Sequence, residues 1–293
     1  MTESSEKLGA EKGESLWADA WRRFLQNRAA VFGLAVMSVL VLAAILTPWI
    51  SPYAFDEQNL DLGAAPPSST HPFGTDSLGR DLLSRMLYGS RISLMVGLLA
   101  TMVSMLIGVT YGAVSGYLGR RVDSVMMRTV DILYSLPFIF FVIILMVYFG
   151  RNIRNLFIAL GCIQWLTMSR IVRGQVISLK QKEFVEAAVA AGVGTRGIIF
   201  RHLIPNVLGP IIVYATLTVP SVMLEEAFLS FLGLGVQPPM SSWGLLMAEG
   251  VRYLGFENWL ILFPVFFLSL TLFSLNFLGD GLRDALDPKY RTD

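Results

Sequence analysis

The sequence predicts an all-α membrane protein with six transmembrane helices, and three observations carry that prediction. Of 293 residues, 54% are hydrophobic and only 15% charged, with a mean hydropathy of +0.59, which lies outside the range of soluble chains. Apolar runs of about 20 residues, the length a helix needs to cross a bilayer core about 30 Å thick, recur along the chain. The 23 Lys and Arg and 22 Asp and Glu fall almost wholly between those runs. A net charge of +1 therefore reflects topology and gives no basis for nucleic-acid binding.

Residues 1–28 form a polar, charged tail. The first span, 29–50, is too long for a signal-peptide core and ends without a small-residue cleavage site, so it is expected to remain as an uncleaved helix. The connection 51–91 contains "FGTDSLGRDLLSRMLYGSR", which predicts a short helix capped by Asp76 or Ser77. Its stripe of Leu82, Leu83, Met86 and Leu87 opposes Arg80, Asp81, Ser84 and Arg85, as suits a helix lying flat on the membrane or docking an external partner. Five more spans follow within the transmembrane region 92–278, at 92–114, 132–150, 155–168, 207–231 and 259–278, and a tail covers 279–293. The span at 155–168 is short and runs into Arg170 and Arg173.

Basic residues orient these spans. Seventeen of the 23 lie in the two tails and in the second and fourth connections, so by the positive-inside rule both termini and the fourth connection face the cytoplasm. Within the second span Gly108, Gly112 and Gly116 recur every four residues, leaving one helix face bare for close packing or for a substrate path. Pro137, Pro210, Pro220 and Pro264 break or kink spans. Glu225 and Glu226 lie about 28 Å along the fifth span from Asn206, near its outer boundary. They read as an interfacial pair in water, as part of an outer gate, or as the support of the loop "GLGVQPPMSSWG".

Chemistry has little to work with. Cys162 is the single cysteine and lies in an apolar run, so it reads as a packing residue. His71 and His202 have no metal-ligand spacing, and no cofactor or metal is implied. No G-x-x-x-x-G-K-[ST] phosphate loop occurs, so nucleotide energy would have to arrive from another chain. Gly233 and Gly235 read as a turn at the membrane edge.

One stretch departs from the pattern of spans and short connections. "EFVEAAVAAGVGTRGIIFRHLIPN", 183–206, is helix-prone and partly charged. At helical spacing Phe184, Ala187, Ala188 and Ala191 form an apolar face, while Glu183, Glu186 and Ala190 lie on another side. Gly192 and Gly194 permit a sharp turn, and Thr195 can cap a second helix that ends at Pro205. Small side chains on such a hairpin would let the groove of another protein close around its backbone.

The spacing of Glu186, Ala187 and Ala188, then Gly192, then Ile204 and Pro205 resembles the EAA motif of ATP-binding-cassette importer permeases. His202 stands where an isoleucine is frequent, ten residues after the motif glycine. "LWADAWRRFLQNRAAVFGL", "FGTDSLGRDLLSR", "GSRISLMVG", "GYLGRRVDSVMMR", "RIVRGQVISLKQKEFVEAA", "RHLIPNVLGP", "FLSFLGLG" and "NFLGDGLRDALDP" extend the resemblance over nearly the whole chain. Together they resemble the C-type permease subunit of bacterial oligopeptide transport systems, whose relatives serve dipeptides and nickel chelates.

The resemblance implies the type I importer permease fold in the bacterial cytoplasmic membrane. It also implies a B-type permease as heterodimer partner, two cytoplasmic P-loop ATPases and an external peptide-binding protein, periplasmic or lipid-anchored. Glu183, Glu186, Ala187, Ala188, Gly192, Ile204 and Pro205 would then couple this chain to the ATPases, which alone would hydrolyse ATP. A secondary transporter would need mid-span coupling charges and inverted repeats, and an intramembrane enzyme a nucleophile-base or paired-acid arrangement; the sequence offers neither pattern.

Overall fold

The computed structural model describes residues 16–286, so the outer parts of both predicted tails, 1–15 and 287–293, lie outside the described residues. The tail before the first span contains helix α1, Leu16–Gln26, which buries Ala20 and Phe24 against Ala30 and Ala285. Asn27 then caps α2, Arg28–Ile50, its Oδ1 accepting from the N–H groups of Ala29 and Ala30 at 3.1 and 3.2 Å.

Helix α3, Leu82–Leu118, begins ten residues earlier than the sequence suggested and absorbs the predicted short helix. Its cap is Asp81, not Asp76 or Ser77, and Asp81 Oδ2 accepts from Ser84 N–H at 2.7 Å. The supposed polar face of a surface helix is buried instead. Arg85 is 0% exposed, and its Nη1 donates to Asp76 Oδ2 and to Glu249 Oε2, both at 2.6 Å. Arg80 Nε donates to the same Asp76 oxygen at 2.7 Å.

The predicted third span is two helices. Helices α4, Arg120–Ser135, and α5, Phe138–Phe149, meet at an angle of 82°. The break falls where a proline requires it: Leu136 is extended (φ −76°, ψ 127°), as residues before proline prefer, and Pro137 cannot donate into the preceding turn. At 12 residues, α5 spans only about 18 Å.

The short fourth span becomes a full helix, α6, Ile153–Leu179. Its arginines find partners on α4, which is why the apolar run could end at residue 168 without ending the helix. Arg173 forms a two-pronged pair with Asp123 at 2.5 and 2.6 Å, while Arg170 bonds Asp131 at 2.8 Å and lies over the Tyr134 ring.

Beyond α6 come α7, Glu183–Ala190; α8, Thr195–Gly197; a π-helical turn, Ile198–Leu203; and α9, Ile204–Asn206. The last spans are α10, Leu208–Phe231, and α12, Trp259–Leu286, with the short α11, Trp243–Gly250, between them. Among the described residues five helices are therefore long and apolar enough to cross a membrane, and the bent pair α4–α5 supplies the material of a sixth. Large apolar side chains such as Val39, Leu106, Ile144 and Leu262 stay exposed along them, as lipid contact demands.

The most extensive packing joins α3 to α6, and glycine makes it possible. A Cβ at Gly108 would lie 2.6 Å from Met168 Cβ, one at Gly112 only 2.3 Å from the Ser169 carbonyl oxygen, and one at Gly116 2.9 Å from that of Arg173. Helix α10 ends in a Schellman turn: Leu234 N–H bonds the Leu229 carbonyl and Gly233 N–H that of Ser230, with Gly233 at φ +74°.

Two ends of the bundle can now be told apart. At the loop end, residues 51–81 and 232–258 fold over the helices. Here Trp259 Nε1 donates to the Thr75 carbonyl, Trp243 Nε1 to that of Met86, and His71 pairs with Asp81 while stacking on Tyr53. At the opposite end stands the α7–α9 hairpin.

Candidate functional site

The hairpin begins three residues beyond α6 and feeds straight into α10, so both arms are anchored in spans. Its turn is built by one glycine. Helix α7 closes with Gly192 N–H on the Val189 carbonyl at 2.9 Å and Val193 N–H on that of Ala188 at 3.0 Å, a second Schellman turn that puts Gly192 at φ +79°. A side chain at this backbone angle is strained, yet a Cβ there would meet nothing within 4 Å. Gly194, not Thr195, occupies the cap position of α8, and no side chain bonds there.

The second arm does not end at Pro205. The helix widens to π geometry over Ile198–Leu203, with Ile204 N–H reaching back to the Ile199 carbonyl, and this makes room for a proline that cannot donate and would crowd an α-helical turn. Pro205 sits inside α9, and Val207 (φ −103°, ψ 5°) passes the chain to α10.

The inward face also differs from the one spacing suggested. Val185 and Ala188 are buried, and Val185 packs with Ile198, Ile199 and Leu203 into the cluster formed by Ala113, Met168, Val172, Val176, Val207 and Ile211. Phe184, Ala187 and Ala191 are exposed, along with Glu183, Glu186 and Ala190. The larger β-branched Val185 reaches the wall of the second arm, and of the alanines only Ala188 turns inward. Among the described residues neither the Glu183 nor the Glu186 carboxylate has a hydrogen-bond or ion-pair partner. Ile204 is half-buried and Pro205 exposed, so the seven predicted coupling positions share one projection but not one surface.

Glu225 and Glu226 separate. Glu226 is 1% exposed and accepts from Ser230 Oγ and Ser242 Oγ, both at 2.7 Å, tying α10 to the first turn of α11 and to the loop before it. It is not an interfacial group in water. Glu225 accepts from Gln164 Nε2 at 2.7 Å, which sets it beside the middle of α6, not at a helix end. No local pattern points to Gln164, or to Glu249 as the partner of Arg85, because each pair is made across the fold.

Helices packed through a glycine seam, one broken span and a small-residue hairpin projecting from one end make up the membrane-spanning subunit of a transporter. The chain belongs to the family of binding-protein-dependent transport system inner membrane components, whose model matches residues 108–292. Residues 15–67 match the N-terminal TM domain of oligopeptide transport permease C.

Among curated relatives, the chain is 56% identical to the oligopeptide transport system permease protein OppC of Escherichia coli (strain K12), over 98% of this chain and 95% of that protein. It is 53% identical to the protein of the same name from Haemophilus influenzae, over 96% and 91%. It is 48% identical to the dipeptide transport system permease protein DppC of Bacillus subtilis (strain 168), over 93% and 86%. The fold is similar to that of a chain in the inward facing structure of the MetNI methionine ABC transporter, with a TM-score of 0.59 and 18% identity over 70% of this chain and 98% of that one. At that identity the similarity is one of fold.

Proposed function

We propose that this chain is a permease subunit of an ATP-driven oligopeptide importer, and that the α7–α9 hairpin is where partner ATPases take hold. The observation that supports this most is the exposed, unpartnered face of Glu183, Glu186, Ala187, Ala190 and Ala191 on a hairpin whose other face is fixed in the bundle core. The termini and hairpin face the cytoplasm, in keeping with the distribution of basic residues. A B-type permease completes the pathway, and an external binding protein delivers peptide.

The mechanical route follows from connectivity. Glu186 bonds groups of the ATPase, while the exposed Ala187 and Ala190 keep that side of the helix low enough for a groove to close on it. When ATP draws the two ATPases together the hairpin moves as a unit, because Val185, Ile198, Ile199 and Leu203 lock its arms to each other. Helix α6 follows through the link 180–182 and α10 through Val207. Access to the pathway switches as the spans tilt, and hydrolysis in the partner subunits resets the cycle, a rigid-body switch biased by a ligand on another chain.

Dipeptide cargo is the second reading, favoured by the likeness to the Bacillus subtilis protein. Purification in detergent followed by mass spectrometry tests the assembly: two P-loop ATPases and a second permease are expected, and a lone chain that still transports would refute it. Competition of dipeptides against longer peptides in vesicle uptake separates the two cargos.

A further inference from the structure

The break between α4 and α5 does more than bend a span. It opens a cavity of about 550 Å³ between the α4–α5 corner, the middle of α6 and α10, within the range of small-molecule pockets. Its walls are largely aromatic and aliphatic, with Tyr134, Phe138, Phe141 and Trp165 among them. Of the residues lining it, Glu225 is the only carboxylic acid, and none is a Lys, Arg or His.

That carboxylate is poorly provided for by its own chain. Oε1 receives one hydrogen bond, from the neutral amide of Gln164, and Oε2 is buried without a hydrogen-bond partner among the described residues. A carboxylate drawn from water into such surroundings is costly unless a cation joins it, and an ionisable group within a membrane span marks a functional position.

We propose that this cavity receives the protonated amine of a passing peptide, with Glu225 as its counter-ion and Gln164 holding the carboxylate in place. The inference rests on the permease reading given above. An ammonium group suits the site twice over, since it pairs with the carboxylate and is attracted to the faces of the surrounding rings. The apolar walls at Phe138 and Phe141 meet the rest of the peptide without demanding a particular sequence. The position matters mechanically, because the Gln164–Glu225 bond joins α6 to α10, the two spans that carry the hairpin. Movement of the hairpin would therefore alter the site that holds the amine.

The chain carries its own reporter. Cys162, the single cysteine, is half-buried in the wall of this cavity. In the assembled complex without its binding protein, alkylation of Cys162 by N-ethylmaleimide is followed by intact mass of this chain, with trialanine or N-acetyl-trialanine present. At about ten times its dissociation constant, trialanine is expected to slow alkylation about tenfold by mass action. The acetylated peptide is expected to leave the rate unchanged, and Glu225→Gln to abolish protection by trialanine.

Equal protection by both peptides overturns the proposal, as does full protection persisting in Glu225→Gln. A Cys162 that never reacts in the complex also overturns it, because the second permease then fills the cavity. The wild-type comparison of the two peptides decides the matter even where the variant fails to assemble. Normal ATP-driven uptake without any protection refutes this inference alone, whereas absence of ATP-driven uptake refutes the permease reading.

Discussion

Substituting Gly192 separates backbone strain from surface bulk at the hairpin. The residue sits at φ +79°, where an ordinary side chain costs about 1–2 kcal/mol, and a Cβ there meets nothing within 4 Å. Gly192→Ala therefore bears the strain alone, shifting the local folded fraction of the turn by about 5- to 30-fold while the spans stay packed. Gly192→Asn adds a larger side chain at a smaller conformational cost, because Asn tolerates this region. Gly192→Trp bears the strain and also stands an indole on the face where the ATPase groove would close.

Uptake of radiolabelled peptide into proteoliposomes, with retention of the ATPases on the purified complex, gives the readout. Membrane insertion is expected to be unchanged throughout. Uptake should fall severalfold with Ala, less with Asn, and to background with Trp, which should also shed the ATPases. Wild-type uptake by Gly192→Trp would refute the coupling role. Equal defects in Ala and Trp would refute the contact and leave only a folding effect.

Other outcomes follow from the packing. Gly112→Ala places a Cβ 2.3 Å from the Ser169 carbonyl oxygen, so α3 and α6 must part, at about 1–3 kcal/mol in reversible unfolding. Gly174→Ala, on exposed α6 backbone with nothing within 4 Å, should instead stabilise by about 1 kcal/mol; equal losses from the two would contradict the seam. Arg85→Met leaves Arg80 as the one cation between Asp76 and Glu249 and should cost about 1.5–3 kcal/mol, the loss of hydrogen bonds to charged groups, seen as a lower melting temperature in detergent. A melting temperature within one degree of wild type would show that the cluster contributes nothing.

Long apolar runs made five spans plain, since bilayer crossing leaves a signal that needs no partner. The sixth was visible only as material. Pro137 announced a kink, but an 82° break depends on what packs around it. Ser51 to Arg91 misled for a related reason: Arg80, Asp81, Ser84 and Arg85 resemble a wet helix face, and only Glu249, 164 residues further on, shows that Arg85 is enclosed. The glycines were the most legible positions, because Gly192 and Gly233 each carry the one backbone angle their turns require. The inward face of α7 was not, since an eight-residue helix offers several stripes and tertiary contact chose the one containing Val185.

Central to the account is physical contact between the hairpin and an ATPase. A photo-crosslinking amino acid at Ala187, on the exposed side of α7, is compared in the assembled complex with one at Phe256, exposed in the loops at the opposite end. Irradiation is expected to join position 187, and not 256, to a P-loop ATPase, with a yield that changes on adding ATP. An ATPase adduct at 256, or its absence at 187 in a complex that transports, would contradict the account.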